Sequence, residues 1–315
     1  MKKRQSTLRL FWKQRQAQAF ALSGMAYLFV FSIIPMIGLV IAFKDYQIED
    51  TGFMGLLTAK WVGLKFFREF FSEYNFSQLL RNTLCISLLK LVFSFPLPIL
   101  FALMLNEIHS KGAKRVLQTV SYMPYFISWV VVFGFCQLFL NSQTGVVNQF
   151  MVATGLWEKP FNFLANPSTF WPIAVLTGIW KEMGWWTIIF LAAITGVSPA
   201  LYEAATIDGA SRIQRICHVT LPSILPTVSV VLILALGNLM GGGMGGSNFD
   251  QSYLMGNLGN RETSDILQTY VYRVGMAEGR YSYATAAGMF QSVISVILVT
   301  TSNWFSKKVT GNGLY

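Results

Sequence analysis

Three stretches carry residue types that do chemistry in other settings. The first, LMGGGMGGSN from Leu239 to Asn248, holds five glycines in ten residues. Glycine-rich loops cradle phosphates, but a P-loop also needs a lysine for the terminal phosphates and a hydroxyl for magnesium. Here Gly246 is followed by Ser247 and Asn248, and no lysine is near. A dinucleotide site would need a strand before it, a helix after it and a later acid, and the surroundings supply none of these. The second stretch, GIWKEMGWW, sets Lys181 and Glu182 side by side inside an apolar run. Ionisable groups at membrane depth are costly and mostly functional. The two therefore belong to a polar transport path, to interface anchoring or to pairing with another helix. Consecutive helical residues point in directions about 100° apart, so they are poor partners for each other. The third is Cys217 beside His218, which lacks metal-ligand spacing. Cys85 and Cys136 fall in apolar runs, and His109 lies in a different loop from His218. No P-loop lysine, catalytic triad or metal cluster is present in the sequence, so no catalytic residue, metal or cofactor is expected in this chain.

The elements that must hold these residues are membrane spans. Hydrophobic residues make up 53% of the 315 and charged residues 12%, against roughly 25% charged in a globular protein. Several apolar runs reach the roughly 20 residues needed to cross a bilayer. Six spans are predicted, at about 20–43, 83–106, 116–140, 171–195, 222–240 and 282–305, which makes the fold class an all-α integral membrane protein. The first run is too long for the apolar part of a secretory leader and lacks a small-residue cleavage site, so no cleaved leader is expected. Pro96, Pro98 and Pro124 are expected to bend the second and third spans. WVGLKFFREFF, after the first span, reads as an amphipathic element at the interface.

The net charge of +10 follows the same topology. The segments on the side of the N-terminus carry thirteen basic residues, from Lys2 to Lys308, against only Glu107, Glu203 and Asp208. The opposite side is close to balance. Such a bias is an orientation signal that places both termini in the cytoplasm, and nucleic acid is not needed to explain it. The expected organisation is a basic N-terminal segment over 1–19, a membrane domain over 20–305 and a tail over 306–315.

Between the fourth and fifth spans lies LYEAATIDGASRIQRICHVTLPSILPT, Leu201 to Thr227. Ser198 and Pro199 give a cap and a first-turn proline for a short helix. Gly209 allows a tight change of direction. Ile213, Ile216 and Thr220 then recur at helical spacing before Leu221 and Pro222 open the next span. A helical hairpin too polar to insert and too short to be a domain is a docking knob for a cytoplasmic partner.

The run E-A-A-x-x-D-G-A, Glu203 to Ala210, followed by I-x-x-x-x-L-P ending at Pro222, resembles the EAA loop of binding-protein-dependent ABC importer permeases. In that family the loop, here about 198–222, is a coupling helix seated in a cleft of the ATPase subunit. The resemblance implies that role for Glu203, Ala204, Ala205, Asp208, Gly209, Ile213, Ile216, Leu221 and Pro222. Many relatives have an aromatic residue where Ile213 or Ile216 stands. PYFISWVVV, IWKEMGWW, QTYVYRVG and YSYATAAGMFQSVI are similar to the polysaccharide-type carbohydrate permeases within the maltose-like type I importers. Membership implies a multi-pass protein of the bacterial inner membrane that pairs with a second, related permease. It also implies two P-loop ATPase subunits that bind the ATP and magnesium, and an external solute-binding protein. The implied cargo is an oligosaccharide or complex saccharide, a class that includes alginate-type acidic systems.

Polar and aromatic groups near the spans are the candidate cargo path: Tyr122, Trp180, Lys181, Glu182, Trp185, Asn238, Gln291 and Asn303. Each fits helix–helix hydrogen bonding or interface anchoring equally well. An ion-coupled secondary transporter working through Lys181 and Glu182 is the alternative. The glycines of Leu239–Asn248 open an external segment over about 241–281. They read as a flexible loop, or as backbone that must approach a partner or cargo closely.

Overall fold

The computed structural model describes residues 14–47, 52–311 and 313–314, and these are almost entirely helical. Lys2, Lys3, Arg4, Arg9 and Lys13 of the expected N-terminal segment lie outside the described residues. The chain runs through α1 (Arg15–Phe43), β1 (Lys44–Asp45), α2 (Gly52–Thr58), β2 (Lys60–Trp61) and α3 (Lys65–Phe71). Next come α4 (Phe76–Ser94), α5 (Pro96–Asn106), α6 (Lys111–Tyr122), α7 (Trp129–Leu140) and α8 (Val146–Ala153). The remainder is α9 (Pro167–Thr195), α10 (Pro199–Ile207), α11 (Arg212–Gly237), α12 (Asn248–Met255), α13 (Arg261–Ser264), α14 (Leu267–Tyr272) and α15 (Tyr281–Thr310).

Among the described residues, four stretches are long and apolar enough to cross a membrane: α1, α4 with α5, α11, and α15 to Lys308. Two bent pairs, α6 through Phe126 with α7 (99°) and α9 with α10 (69°), raise the number to six. Pro124 sits in the 3-10 turn Met123–Phe126 that makes the first bend, as a residue without an N–H and with fixed φ should. Ser128 restarts the helix by accepting a hydrogen bond from the Val131 amide at 3.3 Å. Pro96 does less than expected, since α4 and α5 are interrupted only at Phe95 and run on as one span. In α1, Pro35 follows a π turn over Phe29–Ile33, which absorbs the hydrogen bond that proline removes.

One expectation is sharpened and one corrected. The α-helix of the fifth span opens at Leu221 with Pro222 in its first turn, as expected, and the helical stretch before it, from Arg212, runs into it through a π turn over Ile216–Thr220. Hydropathy marks only the apolar part of a helix, whereas a polar cap sets where the helix starts. The segment over 241–281 is not a loop: α12, α13, α14 and a π turn over Arg273–Ala277 occupy most of it.

The described residues form two compact units. The first comprises those up to Ser72 with Val274–Met289. In it β1 and β2 pair antiparallel, with Lys44 opposite Trp61, and Ser282 donates to the Lys44 carbonyl at 2.7 Å. Phe66 and Phe70 turn inward from α3, Phe70 meeting Tyr283 edge-on, and Glu69 pairs with Arg280. WVGLKFFREFF is thus a strand end and a short helix.

The second unit comprises Glu73–Arg273 and the chain from Phe290. One core cluster joins Ala102, Leu103, Phe190, Leu191, Ile194, Ile224 and Val231, and another joins Ile86, Val132, Cys136, Phe170, Ala174, Met255 and Ile266. Both are built on α9. Midway along it, Gly184 meets the backbone of Ser121 and Tyr122 so closely that a Cβ would overlap the Ser121 carbonyl. Gly184→Ala is expected to lower stability by about 1–3 kcal/mol through overpacking. The check is the thermal midpoint of the purified protein against Gly134→Ala, whose Cβ would meet nothing within 4 Å.

Candidate cargo path and coupling surface

Lys90 lies in the apolar run of α4 and is only 4% exposed. On a helix, residues three and four apart share a face, so Ser87, Lys90 and Ser94 look the same way. Opposite them on α9, Gly178 leaves room for the lysine stem, its Cβ position being 3.6 Å from Lys90 Cε. The Lys90 ammonium donates to Ser247 Oγ at 2.8 Å, and Glu182 of α9 borders the same space. Two opposite charges thereby face one cavity, where ionisable groups of a membrane span are characteristically found. Asn248 donates to Ser87 Oγ at 2.8 Å, and Gln251 donates to the Ala174 carbonyl at 2.7 Å and to Thr177 Oγ1 at 3.0 Å.

The glycine stretch is the element that delivers Ser247. Leu239, Met240 and Gly241 are buried in a 3-10 turn. Asn238 closes the loop on itself, its Nδ2 donating to the Gly243 carbonyl at 2.9 Å and its carbonyl accepting from the Gly243 amide at 3.0 Å. Gly242, Gly243 and Gly246 have φ of 110°, 71° and 61°, conformations that other residues adopt at a cost. A Cβ on Gly245 would overlap the Glu182 carboxylate. The flexible-loop reading is therefore overturned: the glycines let a tightly folded backbone lie against the half-buried carboxylate of Glu182.

Lys90, Ser94, Glu182, Trp186 and the backbone of Gly242–Gly245 border a small cavity of about 20 Å³, room for about one water. Ser94 Oγ and Trp186 Nε1 are buried there without a hydrogen-bond partner.

Lys181 goes elsewhere, as its divergence from Glu182 requires. Its ammonium donates to the Tyr125 carbonyl at 2.7 Å and lies over the Tyr125 and Trp129 rings at 5.1 and 5.5 Å. Trp185 stacks on Tyr125 with centroids 4.5 Å apart. The bend between α6 and α7 thus gathers Lys181 and Trp185, while Glu182 and Asn238 belong to the glycine loop. Tyr122 ends α6 just before that bend, and Trp180 is 46% exposed, edge-on to Phe135. Gln291 is a half-buried residue of α15. Asn303 joins neither group: its Oδ1 accepts from the Leu314 amide at 2.7 Å and ties down the tail. Lys90, Ser94, Trp186 and Ser247 were absent from the sequence-based set. Lys90 carried a signal, a lone cation in an apolar span. Among the described residues no cluster could hold a metal.

At the far end of α9, α10 buries none of its residues. Ile207 and Ile213 are 86% and 74% exposed, and Glu203 and Asp208 are exposed beside them. The turn between α10 and α11 is nonetheless rigid. Gly209, at φ 76°, lets the Ala210 amide reach the Ala205 carbonyl at 2.9 Å and its own amide reach Thr206 at 3.1 Å, the paired bonds of a glycine-terminated helix. Ser211 and Gln214 then form a reciprocal cap on α11. Arg215 donates to Thr206 Oγ1 at 2.9 Å, and the Tyr202 and Thr220 hydroxyls are 3.0 Å apart. Ile216 and Leu221 pack inward on the core containing Ile224, so they hold the knob while Ile213 is presented by it.

The chain matches the model of the binding-protein-dependent transport system inner membrane component family over residues 94–311. It is 42% identical to Protein LplB of Bacillus subtilis (strain 168), over 93% of this chain and 88% of that one. It is 43% identical to the polygalacturonan/rhamnogalacturonan transport system permease protein YteP of the same organism, over 96% and 91% of the two chains. Among solved structures it is similar to a chain of a bacterial alginate ABC transporter in complex with an alginate pentasaccharide-bound periplasmic protein. There the TM-score is 0.86 at 38% identity, covering 98% of this chain and all of that one. Six candidate spans, the matched stretch and these likenesses agree: the chain belongs to the family of binding-protein-dependent transport system inner membrane components, as a multi-pass permease of the type I ABC importers whose relatives are carbohydrate permeases.

Proposed function

We propose that this chain is the membrane subunit of an ATP-driven importer that passes an oligosaccharide or complex saccharide from an external solute-binding protein into the cytoplasm. ATP and magnesium belong to two P-loop ATPase subunits, and a second, related permease completes the path. Both termini are cytoplasmic, following the basic bias of their flanking segments. The observation that carries the coupling role is the α10 knob: exposed along its length, apolar at Ile207 and Ile213, charged at Glu203 and Asp208, and locked at its turn. A rigid projection of that kind transmits a push from a partner instead of absorbing it. It leaves the C-terminal end of α9, a helix of 29 residues and so roughly 43 Å long. Asn257 and Asn260 donate to the Leu164 carbonyl near its other end, and in this reading the glycine loop's helices face the external binding protein. Saccharide cargo is supported by the polygalacturonan/rhamnogalacturonan and alginate systems of the relatives. The aromatic faces of Trp180 and Trp185 fit sugar rings.

Glu203 is expected to pair with a cation of the ATPase. With Glu203→Ala, ATP-driven uptake in proteoliposomes should fall about tenfold or more, as for loss of one partner of a desolvated charge pair, while the complex stays intact on gel filtration. An intact complex transporting at the wild-type rate overturns the coupling role. Uptake by this chain alone, without an ATPase, overturns the importer.

A further inference from the structure

The cavity beneath the glycine loop has a chemical bias. Its buried polar atoms without a partner are Trp186 Nε1 and Ser94 Oγ; an indole nitrogen only donates, and a hydroxyl can donate. The Lys90 ammonium borders the same space and brings further donors. A pocket walled by an ammonium, an indole N–H and a hydroxyl is complementary to an acceptor carrying negative charge, and a carboxylate satisfies several such donors at once. The acid on the same wall is Glu182, while the Lys90 ammonium itself is held by Ser247 Oγ at 2.8 Å. Gly245 lies directly against that carboxylate, so the loop that covers the cavity also holds the internal acid in place.

We infer that Lys90 is the specificity-determining residue for a carboxylate on the cargo, with Ser247 as the group that holds its ammonium when cargo is absent and Glu182 as the internal negative charge facing the same cavity. The inference rests on the saccharide-import reading and narrows the cargo to sugars bearing carboxylates, that is, uronate oligosaccharides. As the loop lifts, the Lys90 ammonium exchanges Ser247 for the cargo carboxylate, and Trp186 and Ser94 complete the ring of donors. No bond other than hydrogen bonds is made or broken.

The test uses the full complex with its ATPases and binding protein in proteoliposomes. The probes are trisaccharides of galacturonate and of mannuronate, beside their carboxyl-reduced neutral counterparts. The same binding protein serves every variant, so its own preference cancels in each comparison. Lys90→Gln should cut uptake of an acidic probe about tenfold, and Lys90→Arg should restore part of it. Glu182→Gln, which removes the competing charge without changing shape, should raise the ratio of acidic-probe to neutral-probe uptake above that of wild type. Lys90→Gln transporting the acidic probes normally, or Lys90→Gln and Glu182→Gln losing uptake alike, overturns the inference and makes the pair a structural brace. Wild type that carries a neutral probe but neither acid also overturns it and leaves saccharide import standing. Wild type that carries none of the four overturns the saccharide reading itself.

Discussion

Gly209→Pro is expected to leave the complex assembled and ATP-driven uptake lost. Gly209 stands at φ 76°, while a proline ring holds φ near about −65°, so the two are incompatible. Proline also removes the Gly209 amide that reaches the Thr206 carbonyl. The turn must then open, and α10 leaves its fixed angle to α11. Nothing else should suffer, because α10 has no buried residue and a Cβ at Gly209 would meet nothing within 4 Å. The informative control is Gly209→Asn. Asparagine enters the left-handed region more readily than other side chains, so it should cost about 1 kcal/mol and keep most of the uptake. The measurement is the ratio of sugar imported to ATP hydrolysed. A proline variant with the wild-type ratio would show that the angle of the knob is immaterial to coupling.

The knob was legible in the sequence because everything that builds it is local. Its first-turn proline, its glycine and its exposed isoleucines fall between Pro199 and Gln214, and a helix end is set by near neighbours; the expected Ser198 cap makes no side-chain bond. What local pattern missed there was direction: Ile213 and Ile216 share a spacing, but one faces out and the other packs on Ile224's cluster. The spans were legible in number and not in length, since capping at Ser211 carries α11 ten residues beyond its apolar part. The cluster under the glycine loop was illegible for the opposite reason. Ser247 meets Lys90 across 157 positions of sequence, so neither residue signals the other. Glycine abundance describes equally a loose linker and a backbone folded too tightly for side chains. Only the partners decide between them, and here the partner is the acid at 182. Asn303 failed as a path candidate because a nearby backbone amide, that of Leu314, already satisfies its carbonyl.

Gly245→Ala should disturb the glycine loop, and its cause can be isolated. The new Cβ would occupy the space of the Glu182 carboxylate. Either the loop lifts, drawing Ser247 from Lys90, or the Glu182 side chain swings away. Overpacking of this kind costs about 1–3 kcal/mol. The purified complex should therefore melt lower and uptake should fall, whereas Gly134→Ala, with open space at its Cβ, should do neither. In a Glu182→Ala background the clash is gone. The same Gly245→Ala change should then be close to neutral, giving a coupling energy of about 0.5–3 kcal/mol or more between the two sites. If Gly245→Ala costs the same with and without the Glu182 side chain, the loop is not seated on that carboxylate. The cavity would then lack the cover on which exchange at Lys90 depends.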